Sequence, residues 1–323
     1  MHAIVIDGEQ LSWQAMEPPP GPGAGEVRLR VAWAGVNRAD LMQRAGHYPP
    51  PPGTSEIMGL EVSGTVIATG PGVEWPAVGE PVCALLAGGG YAEEVVVDAR
   101  QVLPLPEGLG LREAAALPEV FTTAWLNLFM EGALAEGERV LLHAAASGVG
   151  TAAIQLCRAF GHPCFATAGS EAKLAACREL GADAGWNRHD GSFVEAVKAW
   201  GGADMILDPV GASYLADNQQ VLNADGRLVV IGLMGGRQAK LDLGRMLMKR
   251  QRLIGSTLRA RPPAAKGEIL AALRRHVWPR LVTGELSPLV DRTWPITAVE
   301  AAHAHMQRDA NIGKVLLSVG GEE

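Results

Sequence analysis

Residues 140–161, VLLHAAASGVGTAAIQLCRAFG, pass from an apolar strand through a run of small residues into a helix. Small residues at such a junction let backbone N–H groups face an anion, which the helix dipole also favours. In the register G-x-G-x-x-G ending at Gly150, Ala145 and Ser147 stand in the first two glycine places. Glycine is required there only where a Cβ would strike the ligand or the strand. Ala145 adds one methyl, and Ser147 adds a hydroxyl able to donate to a phosphate. Gly148, before Val149, supplies backbone freedom, and Gly150 lets the helix lie close to the strand. The turn is therefore a usable cradle for a dinucleotide pyrophosphate.

The next strand tip selects the dinucleotide. An NAD site commonly ends this strand in Asp or Glu, for the ribose 2′-OH. Here the strand ends in ATAGSEAKL, with Gly169 and Ser170 at the tip. Gly169 leaves space for a 2′-phosphate, Ser170 can donate to it, Lys173 lies one turn on, and Arg188 follows the next strand. Glu171 is the contrary sign, and as the first residue of a helix it is expected to point outward. The tip reads as an NADP site. Two further strand ends, ILDPVG (206–211) and VIGLMGG (230–236), lie at the carboxyl edge, where ligands bind in open α/β sheets. There Gly211, Gly232, Leu233 and Met234 are candidates to approach the nicotinamide ribose. Tight β-to-α turns would call for the same glycines.

These segments need a sheet to hold them. From Leu117-Pro118 onward, helical stretches near 119–132, 149 onward, 171–180 and 213–223 alternate with RVLLHA, PCFATA, ADMILDPV, GRLVVIG and LIGST. Such alternation argues for a doubly wound parallel sheet. The first hundred residues instead alternate short strands with Gly/Pro turns (AIVI, EVRLRVAWAGV, VSGTVIATG, PVCALL, YAEEVVVD), which suits a mixed β-domain. After it come a helix near 264–283, a β segment at LVDRTWPI, a helix at VEAAHAHMQR and a strand at GKVLLSV. This tail is expected to complete the first domain. The expected division is 1–118, 119–257 and 258–323.

A chain of 323 residues is long for one core. Its 48% apolar and 20% charged content is globular, and the net charge of −7 includes no block of like charges. Lys249-Arg250-Gln251-Arg252 is the single basic cluster and reads as a helix end, which argues against nucleic-acid binding. Cys83, Cys157, Cys164 and Cys177 form no C-x-x-C pair, and MHAIVIDG reads as a strand and not as a signal peptide, so reduced cytoplasmic thiols are expected. No apolar run reaches bilayer-spanning length, so no membrane role is expected.

GVNRADLMQRAGHYPPPPG (35–53), MGLEVSGTV (58–66), GGGYAEEVVV (88–97), SGVGTAAIQL (147–156), TAGSEAKL (167–174) and NIGKVLL (311–317) make the chain resemble, end to end, the zinc-independent quinone oxidoreductases of the medium-chain dehydrogenase/reductase superfamily. The tumour-suppressor-inducible branch shares the serine before GVG and the AGS tip. The resemblance implies an α/β fold, a GroES-like β-domain made from both chain ends with a central Rossmann domain. It also implies NADPH as cofactor and quinones, ortho-quinones favoured, as acceptors.

Zinc alcohol dehydrogenases of this superfamily carry Cys where this chain has Asn37, and Gly-His-Glu where it has Gly59-Leu60-Glu61. Leucine cannot ligate zinc, His303 and His305 point to different helix faces, and His143 reads as a core polar residue; no zinc is expected. An alcohol needs a Lewis acid to become a good hydride donor, whereas a quinone accepts hydride readily, so reduction is the expected direction. The acceptor's polar contacts are expected from Asn37, Asp40 and Tyr48. Asn37 offers an amide, Asp40 orients it or simply opens a helix, and Tyr48, before the rigid Pro49–Pro52, offers a phenol to a developing oxyanion. Thr123 aligns with a nicotinamide-side threonine of the family, and Asn311 and Lys314 with a cofactor-side segment. An edge strand, GRLVVIGLM or LIGST, could pair with its copy; a homodimer is the family expectation, with a tetramer left open. Two other readings stand beside quinone reduction: an NADPH-dependent enone or enal reductase, and a non-catalytic, crystallin-like NADPH-binding protein.

Overall fold

The computed structural model describes residues 1–8 and 10–320. Strand formation at the start follows the alternation of the sequence. β1 (His2–Asp7) and β2 (Gln10–Ala15) form a two-stranded hairpin, and β3 (Glu26–Val36) buries Val27, Leu29 and Val31 on one face. A short helix α1 (Arg38–Arg44) follows directly, then β4 (Glu61–Thr69), β5 (Pro81–Leu85), β6 (Glu94–Asp98), β7 (Val102–Pro104) and α2 (Leu111–Ala114). The helix α3 (Pro118–Trp125) carries the chain onward and continues as a π-helical turn, Leu126–Glu131, closed by Gly132 N donating to Asn127 O at 3.0 Å.

Strand and helix then alternate: β8 (Val140–Leu142), α4 (Gly148–Ala159), β9 (Cys164–Ala168), α5 (Glu171–Leu180), β10 (Ala184–Asn187), α6 (Val194–Trp200), β11 (Ala203–Asp208), α7 (Leu215–Val221), β12 (Leu222–Val230), α8 (Leu243–Lys249) and β13 (Arg252–Gly255). Local chemistry sets the ends of α5: the Ser170 hydroxyl accepts from Lys173 N, and Gly181 closes the helix at φ 119°, a conformation glycine adopts without Cβ strain. The tail supplies α9 (Pro263–His276), α10 (Trp278–Val282), β14 (Val290–Pro295), α11 (Val299–Gln307) and β15 (Lys314–Ser318). The single helix expected over 264–283 is thus two; Pro279 has no N–H to continue the ladder across Val277. The alternation reading also passed over β2, β7, α6 and α8.

The chain divides into two units, Met1–Thr122 with Leu258–Glu323, and Thr123–Thr257. The first holds a seven-stranded sheet in which the path β14-β15-β3-β4-β5-β7 is joined by β6 on β3; β14 and β15 are parallel, the rest antiparallel. Its core is an aliphatic cluster including Val27, Leu29, Met58, Val62, Val82 and Leu317. This is a GroES-like domain. The second unit is a parallel six-stranded sheet, order β10-β9-β8-β11-β12-β13, a Rossmann-type doubly wound arrangement. The strand order reverses between β8 and β11, so the loops after these strands border the switch point where such sheets bind ligands. Edge position falls to β13, with β12 inside it. Two of the three basic residues within 249–252 are held inside the unit: Lys249 Nζ donates to Leu222 O at 2.7 Å, and Arg250 pairs with Asp225 at 2.6 Å. All four cysteines are buried thiols. Among the described residues, no helix is long and apolar enough to cross a membrane.

Candidate functional site

In the second unit the strand–turn–helix at β8–α4 is built as a cradle. Ser147 is the N-cap of α4, and its hydroxyl oxygen accepts from Gly150 N at 3.1 Å. That leaves the O–H hydrogen to donate outward. A Cβ on Gly150 would collide with the carbonyl of Ala145, so this glycine is required by packing. The strained residue of the turn is Ala144, at φ 48°, where Gly148 had been expected to supply the freedom. A bond from Ser147 N to Ala144 O, 2.9 Å, closes the turn on that residue, four positions before Gly148.

At the tip of β9 a Cβ on Gly169 would stand 3.1 Å from Arg188 Nε and 3.3 Å from its Cζ. The Arg188 guanidinium therefore lies over the Gly169 backbone; the absent side chain makes room for a cation. Ser170 caps α5 beside it, with Lys173 in the first turn. Glu171 does turn outward, its side chain 70% exposed and 3.9 Å from Arg178.

Behind this tip three strand ends are wired through one histidine. Asp208 Oδ1 accepts from Val210 N at 2.6 Å and Gly211 N at 3.0 Å, and Asp208 Oδ2 accepts from Asn218 Nδ2 at 3.0 Å. That orients the Asn218 amide, so its Oδ1 must accept from His143 Nε2–H at 2.7 Å. Nδ1 of His143 then accepts the Thr167 hydroxyl at 2.8 Å. The ring is wholly buried, and burial pushes its pKa down, which keeps it neutral. Gly211 (φ 83°) and Gly232 serve close loop packing: added Cβ atoms would stand 3.0 Å from Gly236 O and 2.7 Å from Pro209 O. Leu233 and Met234 project outward beside them, 52% and 49% exposed.

In the first unit a buried polar ring stands where β3, β4 and β15 begin or end. Lys314 Nζ donates to Val36 O and Asn37 Oδ1, both at 2.8 Å, and pairs with Glu61 Oε1. Asn37 Nδ2 donates to Glu61 Oε1 at 3.0 Å, and Glu61 Oε2 accepts from Glu119 N at 2.9 Å. Gly35 is required because a Cβ there would collide with the Glu61 carboxylate. Two expectations are corrected here. The Asn37 amide faces inward and is spent on Lys314 and Glu61, and Lys314 commits all three N–H groups to the ring, leaving none for a cofactor. Asn311 donates one amide N–H to Gly313 O, at 2.8 Å. The cause is charge burial: Glu61 and Lys314 are 0% and 4% exposed, and each needs the other.

Asp40 is fully enclosed and belongs to the scaffold, with no surface for an acceptor. It accepts from Asn37 N at 2.7 Å, Gly59 N at 3.1 Å and the Tyr91 hydroxyl at 3.1 Å, and burial raises its pKa to about 6. The Tyr91 oxygen in turn meets His303 Nε2 at 3.2 Å, and burial depresses that histidine to about 4. Tyr48 is half-buried, with the Arg259 guanidinium 5.2 Å from its ring centre. Arg259 is pinned by Ala87 O (2.8 Å), Tyr48 O (3.2 Å) and Gln43 Oε1 (2.6 Å). Thr123 heads the second unit, nearly buried on α3, its carbonyl accepting from Asn127 Nδ2 at 2.8 Å. The sequence reading missed Glu61, Arg259, Glu119 and Lys266. Glu61 and Glu119 carry a local signal, a carboxylate at a strand start and at a helix start; Arg259 and Lys266 carry none. Among the described residues, no three His, Cys, Asp or Glu side chains gather as a metal ligand set; where zinc relatives bind metal this chain has Asn37, Leu60 and an ammonium-paired Glu61.

A parallel sheet with a small-residue strand–turn–helix at its switch point, joined in one chain to a GroES-like domain, is the architecture of dinucleotide-dependent oxidoreductases. Family profiles agree: residues 23–107 match the alcohol dehydrogenase GroES-like domain, and residues 148–274 match zinc-binding dehydrogenase. The synaptic vesicle membrane protein VAT-1 homolog of Rattus norvegicus is 34% identical over 321 residues, spanning 94% of this chain and 80% of that protein. Among solved structures, an NAD-dependent alcohol dehydrogenase superposes with TM-score 0.87 at 32% identity, covering 99% of this chain and 100% of its own. The quinone oxidoreductase of Thermus thermophilus, solved also with NADPH, superposes with TM-score 0.83 at 34% identity over 99% and 100%. The chain belongs to the medium-chain dehydrogenase/reductase superfamily, and is an oxidoreductase of that group.

Proposed function

We propose that this protein is a zinc-independent, NADPH-dependent reductase of quinones, ortho-quinones favoured, nearest in kind to the tumour-suppressor-inducible branch. The observation that carries the reading is the Arg188 guanidinium seated over Gly169 beside Ser170, a cation at the tip where an NAD site places a carboxylate. Ser147, Gly148, Val149 and Gly150 would hold the pyrophosphate, Gly169, Ser170, Lys173 and Arg188 the 2′-phosphate, and Thr123 the nicotinamide side. Bound NADPH supplies hydride. The chain's part is to orient the acceptor and to meet its developing negative charge, for which the Tyr48 hydroxyl, under the positive field of Arg259, is suited. The similarity to a quinone oxidoreductase solved with NADPH supports this reading, and the similarity to an NAD-dependent enzyme sets its test. Metal has no part in it, since the Lys314 ammonium already neutralises Glu61.

Fluorescence titration of NADPH against NADH, followed by NADPH oxidation with 9,10-phenanthrenequinone and with an enone, tests the proposal. Tighter NADPH binding and faster quinone turnover are expected. Arg188→Ala should weaken NADPH about tenfold or more and leave NADH unchanged. A parent protein preferring NADH would overturn the cofactor assignment; faster enone turnover would move the acceptor class, and tight NADPH binding without turnover would leave only a binding protein. We further propose a cytoplasmic homodimer. The edge strand β13 could pair with its copy, and Leu243, Leu247 and Met248 of α8 (69–78% exposed) offer apolar side chains to a second copy.

A further inference from the structure

Four polar side chains lie behind the strand ends of the second unit: His143 after β8, Thr167 on β9, Asp208 on β11 and Asn218 on α7, each no more than 2% exposed. Polar groups so enclosed cost free energy unless every one is bonded, and an apolar filling would avoid that cost. Here all donors run one way. Asp208 accepts at both oxygens, so Asn218 Nδ2–H points to it, His143 Nε2–H to Asn218 Oδ1, and the Thr167 O–H to His143 Nδ1. The imidazole cannot swing within this chain of bonds, because the rings of Phe193 and Tyr214 pack on it with centres 4.9 and 4.7 Å away. The β8–β9 ladder ends at the pair Leu142 and Ala166. Past that pair, β9 is tied on its β8 side by Ala145 N donating to Thr167 O at 3.0 Å and by the Thr167 hydroxyl on His143 at 2.8 Å. Two residues on stands Gly169, which has no side chain to fix itself and faces the Arg188 guanidinium.

We propose that His143 is a positioning residue for the cofactor's 2′-phosphate: through the Thr167 hydroxyl it holds the β9 tip at the spacing from Arg188 that this phosphate requires. The inference rests on the NADPH reading. His143 touches no ligand and acts through Thr167. Its ring serves as a neutral two-ended link, accepting at Nδ1 and donating at Nε2, and burial keeps it from charging. The far end of the link is Asp208, whose Oδ1 holds Val210 N and Gly211 N, so the β9 tip and the loop after β11 are set against one frame. An aliphatic side chain in place of the histidine would fill the space and leave the tip tied on this side by backbone alone. The pyrophosphate has its own hold in the turn before α4. Loosening the link therefore costs recognition of the 2′-phosphate and spares the rest of the dinucleotide.

Fluorescence titration of NADPH and NADH, which differ by the 2′-phosphate alone, tests the proposal. Thr167→Val keeps the shape of the side chain and removes its donor; NADPH should bind about tenfold more weakly and NADH within about twofold of the parent. Thr167→Ser should restore the parent's NADPH-to-NADH ratio, and Thr167→Cys, with its weak S–H donor, should fall between. Asn218→Ala breaks the link on α7, away from β9, and should lower the same ratio. In an Arg188→Ala protein, Thr167→Val should weaken NADPH no further, because the group against which the tip is set is gone. A valine or Asn218→Ala variant with the parent's ratio, including one that loses both nucleotides equally, overturns the positioning role and leaves the NADPH reading standing. A parent that binds NADH as tightly as NADPH overturns both. If the valine variant does not fold, a Thr167→Cys protein with the parent's ratio overturns the role.

Discussion

Glu119→Gln makes a stability prediction that needs no substrate. Burial, reinforced by the nearby Glu61 charge, raises the Glu119 carboxyl from 4.5 to about 8 in the folded protein. The folded chain therefore keeps a proton that the unfolded chain has released over this whole window. A folded pKa raised above the unfolded value gives stability that is complete below pH 4.5 and is lost as pH climbs to about 8. At about 1.4 kcal/mol per pH unit the loss at pH 8 has an upper bound of roughly 5 kcal/mol, and solvent access to the side chain lowers the expected figure to about 2–3 kcal/mol. Glutamine keeps the shape of the protonated acid and has nothing to ionise. The variant should match its parent near pH 4.5 and exceed it by about 2–3 kcal/mol at pH 8. Urea unfolding of both proteins at pH 4.5, 6, 7 and 8 reads the difference, and pairing them at each pH cancels every other titration. A difference that stays constant across the series refutes the claim that this carboxyl is protonated in the folded state.

Lys314→Met should lower stability by about 3–5 kcal/mol, because it strands the buried Glu61 charge; adding Glu61→Gln should recover a large part, measured by urea unfolding. Gly150→Ala drives a Cβ into the Ala145 backbone, so NADPH affinity should fall at least about tenfold by fluorescence titration and the protein should lose roughly 1–3 kcal/mol. His303 is held down to about 4 by burial, so the unfolded chain takes up a proton below 6.5 that the folded chain refuses. Stability is then lost as pH falls through this window, and His303→Gln should remove roughly 3 kcal/mol of the parent's loss, checked by unfolding at pH 7 and pH 4.

Much of the architecture was legible in local pattern. Period-two apolar spacing marks β3, small residues between β8 and α4 mark the cradle, and Ser170 with Gly181 brackets α5, because each is a contest decided within a few residues of backbone. The helix break at Val277 was as local, since Pro279 alone imposes it, yet the apolar spacing hid it. The polar ring was not legible in that way. Asn37, Glu61, Glu119 and Lys314 are scattered over the chain, and nothing near Lys314 in sequence says that its ammonium will neutralise Glu61 or turn the Asn37 amide inward.

By itself, then, the sequence determined a strand-rich first part, a βα-alternating centre, a usable phosphate turn and a strand tip without an acid. Tertiary structure alone decided that Arg188 lies over Gly169, that Lys314 pairs with Glu61, and that the Glu119 backbone N–H closes on the Glu61 carboxylate. The physical reason is range. Propensity and capping act between neighbours along the chain, whereas charge burial and proton affinity depend on groups that only the packed fold brings together.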